Sequence, residues 1–159
     1  MLRLIPAPLH RTLYRMADRL RRMWWRIGRP HRHSVAVIAF DRHGQVLLVR
    51  HSYGRPVWML PGGGIGRRED PALAAAREFR EELGCELTEL ALLEAGEHDV
   101  SGSRDTQHVF TALVDGTPRA DMREIVSLDF FDPAHLPPGC SRTVGGRVER
   151  AVAARSQER

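Results

Sequence analysis

Three carboxylates within five residues, Glu78, Glu81 and Glu82, are the strongest chemical signal in the chain. They lie in a stretch with helix punctuation at both ends. Asp70 suits an N-cap, Pro71 the first helical position, and Gly84 a left-handed C-cap. At about 100° per residue, Ala72, Ala76, Phe79 and Leu83 make one apolar stripe, with the three glutamates on the opposite side. Carboxylates spaced i, i+3 and i+4 on an exposed helix repel one another by roughly a few tenths of a kcal/mol per pair. A divalent cation reverses that sign, and hard oxygen ligands select Mg²⁺ or Mn²⁺ over softer metals. Read alone, the pattern also fits a solvated face on which Arg77 and Arg80 neutralise the acids.

A glycine-rich loop, Pro61-Gly62-Gly63-Gly64-Ile65-Gly66, precedes this helix. Such a loop lets backbone approach a ligand closely and adopt positive φ. No Lys-Ser/Thr follows it, so it is not a Walker A loop, and Arg67 stands where a dinucleotide fingerprint wants its last glycine. Loop and helix together read Gly63, five residues, Glu69, seven residues, then Arg77-Glu78-Phe79-Arg80-Glu81-Glu82-Leu83-Gly84-Cys85. This resembles the Nudix box, G-x5-E-x7-R-E-U-x-E-E-x-G-U with U apolar, at every fixed position. A chance match has a probability on the order of 10⁻⁹ per window. A looser resemblance in strand order covers about residues 34–138.

The resemblance implies an α/β fold, a mixed sheet between helices in an α/β/α sandwich. It implies Mg²⁺-dependent (or Mn²⁺-dependent) hydrolysis of a diphosphate linked to another group, here a nucleoside diphosphate derivative. Carried over residue by residue, Glu78 and Glu82 are metal ligands, joined by a loop carbonyl near Gly62 or Gly63. Glu81 is a ligand or the water-activating base, Arg77 orients the carboxylates, and Glu69 anchors the loop to Arg77. A further base often comes from a downstream loop, for which Glu97, Asp99, Asp121 and Glu124 are the candidates, with nothing to choose among them. The side motifs of the ADP-ribose and dinucleoside polyphosphate branches, a Pro and a Tyr beyond the box, are missing from His98–Arg104. Two other functions stay open: RNA 5′ pyrophosphohydrolase, and a nucleotide-binding sensor without turnover.

Substrate contacts are less legible. Trp58 can stack on a base or fill the core. His51, Tyr53 and Arg55 precede the box on what reads as a loop, placed either to touch phosphate or simply to be solvated. The eight histidines show no metal-ligand spacing with Cys or acids.

The elements that must carry these groups begin with apolar runs at Ser34–Phe40 and Gln45–Arg50 around Asp41-Arg42-His43-Gly44, a hairpin pattern. Val57–Leu60 is a short extended piece, and Leu87–Glu94, Gln107–Val114 and Ile125–Phe131 read as further strands. A weak helix starts near Thr143, with Gly145-Gly146 against its first turn. Before all of these stands an arm, residues 1–33, separate from a domain over 34–159. Leu9, Leu13, Met16, Leu20, Met23 and Ile27 form one helical stripe, followed by the hinge Gly28–His33. The 159-residue chain carries a net charge of +4, but the arm holds nine arginines against one acid, and the remainder 15 arginines against 19 acids. All 24 cations are arginine. The mildly acidic body lowers the expectation of nucleic-acid binding. The amphipathic arm, with Trp24-Trp25, fits packing on its own domain, a homodimer contact, or peripheral membrane contact through residues 9–27. Two cysteines, no apolar run of transmembrane length and no secretory leader pattern point to a cytoplasmic protein.

Overall fold

The computed structural model describes residues 31–53, 55–100 and 103–157. The helical stripe expected over residues 9–27 lies outside them.

β1 (Arg32–Phe40) and β2 (Val46–His51) flank the expected turn. Asp41 Oδ1 accepts the amides of His43 (2.9 Å) and Gln45 (2.8 Å), and Gly44 takes the positive φ, 80°, that the turn needs. β3 (Glu86–Val100), β4 (Ser103–Asp115) and β5 (Ile125–Phe131) complete a five-stranded sheet in the order β3-β4-β1-β2-β5. The β1–β4 pair is parallel, the other pairs antiparallel. β1 begins two residues earlier than its apolar run, because Arg32 and His33 already pair with Asp105 and Thr106. β3 and β4 both run past their apolar cores, with pairing continuing to Val100 and Ser103. The added residues are mostly polar and hydrogen-bonded to the partner strand, so the extension has no hydrophobic signature.

Val35–Phe40 and Val46–Val49 are buried without interruption, as expected of central strands covered on both faces. Val35, Val37, Ala39, Leu47 and Val49 face helix α1 (Pro71–Leu83). Ala36, Ile38, Phe40, Val46 and Leu48 face helix α2 (Val144–Gln157), with Trp58 and Leu60. The result is the α/β/α sandwich. α2 forms despite Gly145 and Gly146, each of which costs about 1 kcal/mol in a helix. Buried Val144, Val148 and Ala151 offset that cost, and buried Arg147 bonds Glu94 at 3.1 Å.

β1 and β2 pair at Phe40 and Val46 and then splay. The box loop wedges between them. Met59 exchanges backbone bonds with Val49, Val37 N–H donates to the Pro61 carbonyl, Val35 N–H to that of Gly63, and Ile65 N–H to that of His33. The glycine loop is thus held as an inserted piece of sheet, edge to edge with the N-terminal half of β1.

Candidate active site

α1 is capped as its sequence requires. Asp70 Oδ1 accepts the amides of Ala72 (2.9 Å) and Leu73 (3.2 Å), and Gly84 closes the helix at φ 67°. Its buried face differs from the expected stripe. Ala74, Ala75, Phe79, Glu82 and Leu83 are buried, while Ala72 and Ala76 are only half-buried. Glu82 follows Ala75 and Phe79 at i+7 and i+3, so it belongs to the core-facing side, and the three glutamates do not share one exposed face. Glu82 is 5% exposed, Glu78 is half-buried, and the Glu81 side chain is 62% exposed.

Arg77 organises the more exposed part of this face. Its Nε and Nη2 grip Glu69 at 2.7 and 2.9 Å, Nη1 reaches Glu78 Oε1 at 2.8 Å and Glu81 Oε2 at 3.4 Å, and Nη2 also donates to the Gly64 carbonyl at 3.0 Å. Glu69 Oε2 in turn accepts the Gly66 amide at 2.6 Å. The planar guanidinium fork suits this simultaneous binding. The Arg77 hydrogen bonds, the Gly66 amide and the nearby positive charge hold Glu69 down at a pKa of about 2, and Arg77 itself is raised.

The loop presses on the remaining glutamates. A Cβ on Gly63 would collide with the Glu78 carboxylate, and one on Gly62 (φ 148°) with the Val35 carbonyl. Glycine at both positions is what brings main chain against the carboxylates. Gly62 N–H donates to Glu82 Oε2 at 3.3 Å. The carbonyls of Gly63 and Gly64 accept from Val35 and Arg77. Gly62's carbonyl has no such bond among the described residues, which leaves it as a loop oxygen for a cation.

Burial raises Glu82 well above the ordinary carboxylate range, helped by the like charges of Glu124, Glu78 and Asp121 and opposed by the Gly62 amide. Glu78 is also raised by burial, against the pull of Arg77. Of the four downstream acids, tertiary structure brings Glu124 to the site. Glu97 is exposed on β3, paired with Thr106, and the backbone of Asp99 continues that strand opposite Arg104. Asp121 Oδ1 accepts the amides of Arg123, Glu124 and Ile125, each at 2.9 Å, and so shapes the turn that presents Glu124.

His51, Glu82 and Glu124 each offer a ligand atom within 4.8 Å of the others. Glu82 and Glu124 lie 31 and 73 positions from His51, so the group leaves no local spacing among the histidines and only the fold brings it together. His51 is also the last residue of β2, not part of a loop. A desolvated carboxylate beside like charges, flanked by an imidazole and a loop oxygen, is a donor set that fits a divalent cation.

These groups line a cleft of about 1180 Å³ between the box loop and the ends of β1, β2 and β4. Gly62, Gly63, Glu78, Glu82 and Glu124 line one part, and Ser34, Asp105, Gln107 and His108 another. Asp105 is buried and accepts from Ser34 Oγ at 2.6 Å, while its Oδ1 and His108 Nδ1 are buried without a partner among the described residues. Sequence reasoning missed this wall: Asp105 sits in the polar extension of β4, and nothing in the linear pattern brings Ser34 of β1 beside Gln107 and His108. Glu69 also borders the cleft, whereas Glu81 and Arg77 are not part of its lining. Two expected substrate contacts lie elsewhere. Trp58 is buried on the α2 side, T-shaped against Phe131 at 5.0 Å with Arg50 over its ring at 4.3 Å, so it packs in the core outside the cleft lining. Arg55 is exposed and does not line the cleft.

A sequence profile of the NUDIX domain matches residues 30–151. An "RNA pyrophosphohydrolase" of Rhodospirillum rubrum is 40% identical over 57 residues, 36% of this chain and 34% of that protein. An "ADP-ribose pyrophosphatase" of Mycobacterium tuberculosis is 47% identical over 58 residues, 34% of this chain and 28% of that protein. The chain thus spans about a third of the length of these curated relatives. The crystal structure of a MutT NUDIX hydrolase from Burkholderia pseudomallei superimposes with a TM-score of 0.69 at 27% identity, covering 76% of this chain and 98% of that one. No helix among the described residues is long and apolar enough to cross a membrane.

Proposed function

The chain belongs to the Nudix family, and on that footing we propose that it is a divalent-metal-dependent hydrolase of a diphosphate linkage in a nucleoside diphosphate derivative. The carrying observation is that Glu124, remote in sequence from the helix pair Glu78 and Glu82, converges with them on one cleft lined by the glycine loop. Glu78, Glu82 and the Gly62 carbonyl hold the cation, Mg²⁺ or Mn²⁺. When bound, it neutralises diphosphate oxygens and lowers the pKa of a water that attacks phosphorus. Arg77 keeps Glu78 oriented and ties it through Glu69 and Gly64 to the loop, so loop and helix move as a unit. By the family resemblance Glu81, solvent-facing beside Glu78 and outside the cleft lining, would serve as a further ligand or as the base for the water once the cation and substrate are bound. Gly63 lets the substrate's phosphates approach main chain.

The likeness to the Mycobacterium tuberculosis protein favours a nucleotide-linked diphosphate. A second reading, removal of pyrophosphate from an RNA 5′ end, draws on the likeness to the Rhodospirillum rubrum protein and on the basic residues 1–33. The test is phosphate and pyrophosphate release from nucleoside triphosphates, ADP-ribose, nucleotide sugars, dinucleoside polyphosphates and 5′-triphosphate RNA, with and without Mg²⁺. Metal-dependent turnover abolished in Glu82→Gln supports the reading, and the best substrate decides between the two forms. Tight nucleotide binding without turnover under any metal would overturn it in favour of a sensor.

A further inference from the structure

The box carboxylates are only part of the donor set in this cleft. The register of β2 against β5 shifts between Arg50, opposite Ser127, and His51, opposite Ile125. Val126 is the extra residue, and such a bulge re-aims neighbouring side chains and is common beside active sites. Beyond it, Ser52 ties the chain to the turn before β5: its N–H donates to the Glu124 carbonyl at 2.8 Å and its Oγ to the Arg123 carbonyl at 2.7 Å. Tyr53 then donates its hydroxyl to Glu124 Oε1 at 2.5 Å while its ring lies 5.1 Å from the His51 ring. Glu124 is therefore fixed through both backbone and carboxylate, and His51 is packed beside its holder.

We propose that His51 is a metal ligand, completing with Glu82 and Glu124 a mixed nitrogen–oxygen site that prefers Mn²⁺ to Mg²⁺. Donors on opposite sides of an ion with bonds of about 2.1 Å lie about 4.2 Å apart. The three ligand atoms lie within 4.8 Å of one another; only one pair of three can sit opposite, so closing on an ion takes movements of up to about 0.7 Å each. Mg²⁺ dehydrates reluctantly and takes oxygen ligands, whereas an imidazole suits first-row transition ions, among which Mn²⁺ is the most compatible with carboxylates. Tyr53 acts as the positioning residue, holding Glu124 in the orientation that faces His51.

This inference rests on the reading that the cleft binds a divalent cation, and its test separates the two. Full-length protein is loaded with one equivalent of Mn²⁺ and studied by electron spin echo envelope modulation, which detects a coordinated imidazole nitrogen directly. The expected result is ¹⁴N modulation in the wild type, converted to the ¹⁵N pattern on histidine labelling and absent in His51→Gln. Mn²⁺ affinity should fall on the order of tenfold in that variant, with Mg²⁺ affinity moving far less. Mn²⁺ bound in a Glu82-dependent manner without nitrogen modulation overturns the proposal and leaves the broader reading intact. Failure to bind Mn²⁺ at all overturns both. The wild-type spectrum decides the matter even if His51→Gln folds poorly.

Discussion

Replacing Glu82 by Gln should stabilise the metal-free protein while abolishing its response to divalent cations. The carboxylate is 5% exposed and receives one backbone amide at 3.3 Å. Glu124 offers a ligand oxygen within 4.8 Å of it. At an effective dielectric constant of about 20, two unit charges at that distance repel by about 3.5 kcal/mol. Linkage gives a similar figure. Burial raises Glu82 above its ordinary value of 4.5, so the folded state favours the protonated form. The contribution to stability is full below that ordinary value and is lost as pH rises through the folded-state pKa, at about 1.4 kcal/mol per pH unit. Between pH 4.5 and 7 the loss reaches at most about 3.5 kcal/mol. The isosteric carboxamide escapes it. At about 2–4 °C per kcal/mol for a chain of this size, Glu82→Gln should melt above wild type in chelator at pH 7, by up to roughly 7–14 °C. The gap should close as pH falls towards 4.5. Saturating Mn²⁺ or Mg²⁺ should raise the wild-type midpoint, by about 2.7 kcal/mol of stability at a hundredfold excess over Kd, and leave the variant unmoved. Differential scanning calorimetry in chelator and in metal reads all three. A variant that melts below wild type in chelator, or shows the same metal-induced rise, would refute the burial argument.

Three further outcomes test the scaffold around that residue. Arg77→Lys keeps the charge but not the fork that spans Glu69, Glu78 and Gly64, so turnover should drop roughly a hundredfold from misplacement alone, measured as kcat on the best substrate. Gly62→Ala forces a Cβ into the Val35 carbonyl at positive φ and should cost about 2 kcal/mol in urea denaturation. The Glu69 carboxyl carbon, followed by NMR, should titrate near 2; because its folded-state pKa is depressed, its contribution to stability is present above the ordinary value and is lost as pH falls towards 2. In Arg77→Ala the same carbon should return towards the ordinary carboxylate range.

Local patterns in the chain determined the helix from Asp70 to Gly84, the turn at Asp41–Gly44 and the central strands, because caps, turn glycines and uninterrupted apolar runs act within a few residues of themselves. The linear spacing from Gly63 to Cys85 also determined which groups the helix and loop would present together, since one turn of helix and one short loop leave little freedom. The polar half of β4 and the far end of β3 were illegible for the opposite reason: their ladder bonds come from a partner strand and leave no periodic mark. α2 was legible only as a weak helix near Thr143, because its two glycines argue against a helix that Val144, Val148 and Ala151 stabilise by packing. Only tertiary structure set the burial of Glu82, the occupation of the Trp58 ring by Phe131 and Arg50, and the selection of Glu124 over Glu97, Asp99 and Asp121. It also brought His51 to the carboxylates, through a bulge in β5 and a tyrosine hydroxyl. The physical reason is common to all of these. Desolvation and charge proximity depend on distances through space, and those are fixed by how β2, β5 and α1 converge rather than by position along the chain.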